Sequence, residues 1–375
     1  MSFNNKKFYS IGIMSGTSID GMDISLIQSD GKDFIKPLFN KTYNYTKIFR
    51  NNIKNLIVSL DVNSLHKLKY SEDFNIFEKK FTVFVCKKII SFLKSYNLSS
   101  EKIDIIGFHG QTLYHNSDKK ISLQLGLADK ISKTFNIPVV SEFRKDDLAN
   151  GGQGAPLVPV FHQKIFGKKE SNLAVVNIGG ISNLTFLQGK RKLYSTDVGP
   201  GNRLVDDFCL KFFKKKFDKN GRISKQGFIK KELVEKWLDF EIFKRKIPRS
   251  YDSTDFKLDN YINAPKYRRH DLLASLVFFS SKLIVNSLNY YNFKPEKLIV
   301  CGGGAKNKTL IKILSELFGR RVVISDKLGW KSDFIESQAF GYLAIRKSLK
   351  LYSTFPDTTG VNSPTICGKI FLPSS

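Results

Sequence analysis

Glycines, hydroxyl side chains and carboxylates are grouped in one short segment near the beginning of the chain, residues 16–23. The segment separates two apolar runs, a pattern typical of strand, tight turn and strand. Glycine leaves neighbouring backbone N–H groups accessible, and hydroxyls can donate to oxyanions, so such a turn can cradle phosphate groups. An ordinary hairpin turn is the alternative, and it needs fewer special residues. The expected nucleotide contacts are Gly16, Thr17, Ser18, Ile19, Asp20, Gly21, Met22 and Asp23.

Two carboxylates of this segment are candidate metal ligands. Asp20 and Asp23 could hold Mg²⁺ beside the phosphates, directly or through water, because Mg²⁺ takes oxygen ligands and keeps several waters. Asp20 is the expected metal contact. The first segment therefore predicts a site for the phosphates of a nucleotide, with Mg²⁺ beside them.

Two later segments repeat the arrangement of strand and glycine turn. An apolar run at 173–176 leads into a turn at 177–183, and another at 297–301 leads into three glycines and a helical pattern at 307–318. A strand, a glycine-rich turn and a helix together suit a bound phosphate. Three such turns are a stronger signal than one. The residues expected on the phosphate side are Asn177, Gly179, Gly180, Gly302, Gly303 and Gly304.

The elements that must position these turns indicate an α/β protein. The expected elements are a helix over 71–96, a strand over 103–108, a strand or turn and then a helix over 121–137, and a strand from 139 that ends at 143–147. Residues 150–159 are rich in glycine and flanked by proline, which predicts a loop that serves as a hinge or lid.

Strand–turn–strand units near the beginning of each half suggest two related α/β halves that face a cleft. We expect a first domain over 1–140 with the phosphate-binding hairpin. A second domain over 141–353 is expected to carry the later glycine turns. The C-terminal tail, 354–375, is expected to pack back on the first domain.

Composition excludes several classes of protein. The chain has 375 residues, 41% of them hydrophobic, which is typical of a globular enzyme of two ordinary domains. No apolar run approaches the roughly 18 residues that span a bilayer, and the N-terminus is polar, so a cytoplasmic protein is expected. The four cysteines form no CxxC pair and are expected to be free thiols. A net charge of +27 invites a nucleic-acid partner, but the lysines are spread over the whole chain, and we expect neither nucleic acid nor membrane as partner.

Seven segments, in order along the chain, resemble the anhydro-N-acetylmuramic acid kinase family of the acetate and sugar kinase/Hsp70/actin superfamily. The matching segments are 12–23, 107–112, 143–159, 177–183, 197–202, 301–305 and 336–340. The resemblance implies two related actin-like or ribonuclease H-like α/β domains that flank a nucleotide cleft and close around Mg·ATP. It also implies a homodimer. Family members convert 1,6-anhydro-N-acetylmuramic acid, ATP and water into N-acetylmuramic acid 6-phosphate and ADP.

This chemistry needs a carboxylate base, because water must open an internal glycosidic bridge, as in inverting glycoside hydrolysis. The departing O6 needs no separate acid if it takes the γ-phosphoryl group. Asp197 matches the catalytic aspartate of the family, and it follows the run 193–196 and precedes a turn at 198–202. The alternative is that Asp197 caps the helix expected near Arg203 or fixes the Gly-Pro turn.

Four further residues are carried over from the resemblance. Glu336 matches a glutamate expected near the attacking water; the alternative is a first-turn carboxylate that favours the helix dipole. His109, Gln111 and Arg144 are candidate contacts to the sugar or its lactyl carboxylate, which Arg144 would suit by bidentate geometry. Each of these three could instead be a structural polar group.

One segment departs from the family pattern. Where the family usually has Lys-Ser-Thr-Gly-Arg-Glu, residues 248–256 read Pro-Arg-Ser-Tyr-Asp-Ser-Thr-Asp-Phe. The departure is expected to affect local contacts, in substrate or lid recognition, and to leave Asp197 untouched. Two other functions stay open: a kinase of another sugar or carboxylate on the same fold, and an ATP-dependent binding protein like the Hsp70 nucleotide domain. The binding protein is disfavoured because no peptide-binding region follows the two domains.

Overall fold

The computed structural model describes residues 6–16, 18–60, 71–167, 172–189, 192–262 and 266–373. Thr17, one of the expected nucleotide contacts, lies outside the described residues. The chain divides into two compact units. Unit 1 comprises Met1–Lys164, Glu336–Pro356 and Val361–Ser375, and unit 2 comprises Ile165–Ile335 and Asp357–Gly360.

Strands and helices alternate in both units. The strands are β1 (Phe8–Ser15), β2 (Gly21–Ser29), β3 (Ile35–Asn44), β4 (Ile105–Asn116), β5 (Ile121–Leu125), β6 (Val139–Ser141), β7 (Asn172–Ile178), β8 (Ile181–Gln188), β9 (Lys192–Pro200), β10 (Lys297–Cys301), β11 (Arg321–Ile324) and β12 (Lys369–Phe371). The helices are α1 (Lys47–Val58), α2 (Glu72–Ser95), α3 (Ala128–Phe135), α4 (Phe143–Ala149), α5 (Pro159–Phe166), α6 (Arg203–Phe208), α7 (Lys231–Leu238), α8 (Arg269–Ser287), α9 (Lys308–Phe318), α10 (Ile335–Ser348) and α11 (Pro356–Thr359).

Unit 1 is built on a sheet with the strand order β12-β6-β4-β1-β2-β3, with β5 paired to β4. β1, β2 and β3 are antiparallel, whereas β4 is parallel to β1, and β6 is parallel to β4. A hydrophobic core fills one face, where Ile13 and Ile24 of the strands share a cluster with Phe81, Val85 and Ile89 of α2. The long helix predicted at 71–96 is this α2.

Unit 2 has a five-stranded sheet in the order β11-β10-β7-β8-β9. Here β7, β8 and β9 are antiparallel, β10 is parallel to β7, and β11 is parallel to β10. Its core gathers Val176 and Phe186 of the strands with Leu276, Phe279 and Ile284 of α8.

The two sheets share one topology. In each unit an antiparallel three-strand meander is followed by a fourth strand that lies parallel to the first on its other side. This is the ribonuclease H-like order, so the predicted fold class of two related α/β domains is confirmed. The turn between β1 and β2 therefore occupies the same topological position as the turn between β7 and β8.

Three elements differ from the sequence-based expectations. The strand predicted to end at Phe108 continues as β4 through Asn116, because residues 111–116 pair with β5. Residues 143–149 form helix α4 instead of a strand end. β9 runs through Pro200, so Asp197 lies inside a strand and not after one.

The boundary between the two units differs from the predicted domain boundary at residue 140. Residues 141–164 and 336–353 belong to unit 1. One reason is the close packing of α10 on the sheet of that unit. A Cβ on Gly12 would stand 1.8 Å from the Ser337 carbonyl oxygen, and one on Gly107 would stand 2.0 Å from that of Phe340. No helix in the described part of the chain is long and apolar enough to cross a membrane.

We expect Gly12→Ala to destabilise unit 1 strongly, because the added methyl group must push backbone away from backbone. Thermal unfolding should show a loss of several kcal/mol or no folded protein at all. The control is Gly319→Ala, where no atom lies within 4 Å and only the positive φ of 65° is strained. That substitution should cost only about 1 kcal/mol. Equal effects of the two substitutions would contradict the packing argument.

Candidate functional site

The first glycine turn follows a buried hydroxyl network. Ser15 ends β1, and its Oγ lies 3.1 Å from the Gly21 carbonyl oxygen and 2.5 Å from Gln111 Oε1, two acceptors for its one proton. The Tyr45 hydroxyl lies 2.6 Å from the same Oγ. All three side chains are buried. The network therefore fixes the end of β1 and the beginning of β2, the two strands that the turn connects.

Gln111 completes this network from β4, the neighbouring parallel strand. Its Nε2 donates to the carbonyls of Gly16 and Thr112, both at 3.2 Å. The carboxamide is fully buried. In this structure Gln111 binds the backbone at Gly16, where the first glycine turn begins, while its predicted contact with the sugar stays a prediction.

The two carboxylates of the first segment have different surroundings. Asp20 is largely exposed and pairs with Arg50 of α1, with 2.9 Å between Oδ1 and Nη2. Asp23 lies within β2 and accepts from the Thr42 hydroxyl at 2.5 Å on β3. Asp20 is thus the carboxylate at the tip of the turn, where the sequence placed the metal contact, and Arg50 is a cation that competes there.

His109, within β4, and Arg144, in the first turn of α4 after β6, are brought together. Arg144 Nε donates to His109 Nε2 at 3.1 Å, and Arg144 Nη1 donates to the Gly154 carbonyl at 2.7 Å. His109 Nδ1 lies 2.9 Å from the Gly110 carbonyl, so the tautomer that fits carries its proton on Nδ1. Burial, and then the charge of Arg144, lower the pKa of His109 well below its usual value. Burial therefore favours the neutral form of His109.

A cavity of about 280 Å³ opens beside His109 in unit 1. Its wall is mixed, with the rings of Phe74 and Phe108 on one part and the polar side chains of Gln124 and Glu142 on another. Glu142 has a left-handed backbone conformation, with φ of 58°, a strain often found at ligand sites. A cavity of this kind suits a small polar ligand with an apolar face.

In unit 2 a row of polar side chains crosses the sheet at one level. Cys301 pairs with Asn177, Asn177 with Asn183, and Asn183 with Asp197. Directly paired residues face the same side of a sheet, so the four side chains line one face. Neighbouring strands are about 5 Å apart, which places Asn177 roughly 10 Å from Asp197.

A β-bulge sets the direction of Asp197. The pairing of β8 with β9 shifts between Ser182–Gly199 and Asn183–Asp197, so Val198 is an extra residue. Without the bulge Val198 would stand opposite Asn183, and Asp197 would turn to the other face of the sheet. With it, Val198 packs into the core of unit 2, and Asp197 joins the polar row.

Asp197 is buried, and one of its carboxylate oxygens has a backbone donor. Tyr251 N–H donates to Asp197 Oδ2 at 2.9 Å. The segment 248–256, which departs from the family pattern, therefore lies directly against Asp197. Asp197 is not the N-cap of α6; that residue is Asn202.

The glycines of these turns are of two kinds. At some, a side chain would clash with the fold, and at others it would not. A Cβ on Gly302 would stand 2.3 Å from Asn177 Oδ1, and one on Gly304 would stand 2.4 Å from Ile178 Cγ2. Gly16, Gly179 and Gly303 differ, since a Cβ there would meet nothing closer than 3.9, 3.5 and 3.9 Å respectively, and none is among the residues of positive φ. Folding of either unit does not explain these three glycines, whereas the close approach of a ligand to the backbone would.

Glu336 is half-buried in the first turn of α10. A first-turn carboxylate fits the helix dipole and a role near the attacking water equally well, so both interpretations of Glu336 stand.

The model of the family "Anhydro-N-acetylmuramic acid kinase" matches residues 8–373. A protein of that name from Pelagibacter ubique is 39% identical over 97% of this chain and 98% of its own length. The chain belongs to the anhydro-N-acetylmuramic acid kinase family. Relatives of the same name from Bradyrhizobium diazoefficiens and Rhodopseudomonas palustris are 35% and 36% identical, each over 97% of this chain and 99% of the relative. Among solved structures, component A of (R)-2-hydroxyglutaryl-CoA dehydratase from Acidaminococcus fermentans has a TM-score of 0.49 at 11% identity, covering 91% of this chain and 99% of that one.

Sequence reasoning missed several residues of this kinase-family site. Asn183 lies in the matching segment 177–183. Its position opposite Asn177 in the predicted hairpin could have indicated that the two side chains share a face. Arg249 and Tyr251 lay in the segment that departs from the family pattern, but nothing in the sequence indicated their contacts with Asp197, about fifty residues away along the chain.

We expect Gln111→Met to weaken nucleotide binding in addition to stability. The change removes the Gln111 donor to the Gly16 carbonyl, at a cost of roughly 1–3 kcal/mol if that group is left unsatisfied, and it takes one of three partners from the Ser15 hydroxyl. The loosened turn should raise the KM for ATP several-fold more than the KM for the sugar. Steady-state kinetics with each substrate varied in turn would check this. The opposite order of effects would favour a direct contact between Gln111 and the sugar.

Proposed function

We propose that this chain phosphorylates 1,6-anhydro-N-acetylmuramic acid with ATP and opens its anhydro ring with water, giving N-acetylmuramic acid 6-phosphate and ADP. Family membership over nearly the whole chain supports the reaction. The observation in the structure that carries it furthest is Asp197, a buried carboxylate turned by a bulge into a polar row.

In this reaction Asp197 acts as the general base. It takes a proton from water as the water oxygen bonds to the anomeric carbon and the bond from that carbon to O6 breaks. The electron pair left on O6 forms the bond to the γ-phosphorus, and the bond from that phosphorus to the ADP oxygen breaks. Asn183, adjacent in the row, is placed to orient the water, and Glu336 is the second carboxylate proposed near it. His109 and Arg144 are proposed to contact the sugar.

Three glycines at which the fold leaves room for a side chain support ATP as phosphoryl donor. Gly16, Gly179 and Gly303 each follow a strand and offer backbone without a shielding side chain. Such turns bind phosphate through N–H groups. We propose these, with the flanking residues predicted from the sequence, as the ATP contacts.

Mg²⁺ belongs to this proposal through Asp20. An exposed carboxylate at the tip of a phosphate turn provides the hard oxygen donor that Mg²⁺ prefers, and its ion pair with Arg50 favours contact through a water molecule. The ion would supply charge neutralisation at the transferring phosphoryl group.

The expected homodimer and the cytoplasmic location also remain part of the proposal. Use of ATP supports the location, and the family resemblance supports the dimer. Light scattering of the purified protein would give the mass in solution, to be compared with 42.7 kDa for one chain.

Removal of the Asp197 carboxylate should abolish most turnover. We expect Asp197→Asn to lower kcat by about 10²–10⁴-fold, the range for loss of a general base. The measurement is ADP release with the anhydro sugar, with mass detection of a product heavier by one phosphoryl group and one water. The matched control is Asp239→Asn, an exposed carboxylate paired with Lys244, which should leave kcat unchanged. Near-normal turnover of Asp197→Asn would reject Asp197 as the base, and ADP release only with another sugar would favour the alternative kinase.

The open glycines allow a test of the ATP site. We expect Gly303→Ala and Gly16→Ala to raise the KM for ATP about tenfold or more without lowering the unfolding temperature, since a methyl group there meets only the ligand. Gly302→Ala is the contrast, because its clash and its φ of 78° should lower stability. Unchanged KM for ATP in both open-glycine variants would argue against phosphate binding at these turns.

A further inference from the structure

The segment that departs from the family pattern forms a short ladder with β9. Asp197 N–H donates to the Arg249 carbonyl at 2.9 Å, and Arg249 N–H donates to Thr196 Oγ1 at 3.1 Å. Tyr251 N–H then donates to the carboxylate of Asp197 itself. The position of the proposed base therefore depends on where the backbone of 249–251 lies.

The side chain of Arg249 fixes that backbone. It is buried, with 4% of its surface exposed. Nη1 donates to the carbonyls of Phe243 and Arg245, at 2.7 and 2.8 Å. Nη2 donates to the Tyr290 hydroxyl at 2.7 Å, and Nε to the Asp197 carbonyl at 3.3 Å. One rigid planar group thus links four points of unit 2, one of which is the proposed base.

Two aromatic rings complete the surroundings of the guanidinium. Its Cζ lies 5.4 Å from the ring centroids of both Tyr251 and Tyr290. Cation–π attraction at this distance strengthens when the cation is desolvated. The Tyr251 ring is held in turn, because its hydroxyl donates to the Ile242 carbonyl at 2.8 Å. The residue whose N–H reaches the Asp197 carboxylate is therefore fixed from both ends.

The acceptors of Arg249 in this cluster are neutral oxygens. A buried charge costs free energy, which hydrogen bonds offset only when geometry is good. If Arg249 served only to fill space, an apolar side chain of the same volume would do so at a lower cost in free energy. The fork of an arginine, by contrast, spans several acceptors in fixed directions, which lysine cannot do from a single nitrogen.

We propose that Arg249 is a positioning residue for the reaction: its guanidinium sets the backbone of 249–251 and of Asp197, so that the carboxylate meets the water at the required angle. The proposal rests on the proposed function, with Asp197 as base. It assigns a catalytic consequence to a segment that lies far from Asp197 in the sequence. Displacement of a reacting group by about 1 Å can cost roughly 10²-fold in rate.

The test compares two buried arginines. Arg346 of α10 is a matched control, because it too is buried, donates to carbonyls of Gly31 and Tyr352, and contacts a tyrosine hydroxyl. We expect Arg249→Lys and Arg346→Lys to lower the unfolding temperature by similar amounts. Only Arg249→Lys should lower kcat, by about 10–10²-fold, with the KM for ATP within about twofold of wild type. Tyr290→Phe, which removes a single acceptor, should fold normally and lower kcat about threefold to tenfold.

A second measurement does not depend on turnover. Hydrogen–deuterium exchange of peptides covering 193–198 and 249–252 should become faster in Arg249→Lys and stay unchanged in Arg346→Lys. If wild type releases no ADP with the anhydro sugar, the proposed function fails, and the exchange result alone decides whether Arg249 fixes Asp197. If wild type is active but Arg249→Lys matches Arg346→Lys in kcat, or if exchange at 193–198 is unchanged, Arg249 is an ordinary structural residue and the inference is overturned.

Discussion

The parallel pairing of the first and fourth strands is the constraint on which each unit depends. β1 with β4, and β7 with β10, begin at one edge of a sheet and end together at the other. Side chains and turns that follow such strands therefore lie at the same edge of the sheet, and the parallel pairing alone is enough to bring them there. The Ser15–Gln111 contact in unit 1 and the Cys301–Asn177 pair in unit 2 are direct results of that pairing.

Much of this arrangement could be predicted from local sequence. Glycine turns after apolar runs located the ends of β1, β7 and β10, because glycine and alternating hydrophobicity act over a few residues. The length of β4 could not be predicted in this way. Its second half is polar, with Gln111 and Thr112, and is a strand only because β5 returns to pair with it.

The surroundings of Asp197 show the same limit more sharply. The family resemblance picked out the aspartate, but its direction depends on one extra residue, Val198, opposite a strand that has none. A bulge leaves no mark in hydrophobic periodicity. The contacts from 249–251 are less accessible still, since hydrogen bonds across fifty residues follow from packing. The donors in all three bonds are backbone N–H groups, which nearly every residue type supplies, so the types of residues 249 and 251 do not reveal them.

The buried imidazoles of unit 1 have a consequence for how the protein meets acid. Burial, aided by the Arg144 charge, lowers the pKa of His115 to about 3, and burial lowers that of His162 to about 3, while His109 is also lowered. In the unfolded chain the same rings bind protons near pH 6.5. Below that pH each of the three rings binds a proton when the chain unfolds. The free energy of unfolding of unit 1 therefore falls by about 1.4 kcal/mol per pH unit for each ring, until the pKa of that ring in the folded protein is reached. Acidification below about pH 6.5 should therefore destabilise unit 1, because unfolding lets these buried rings bind protons.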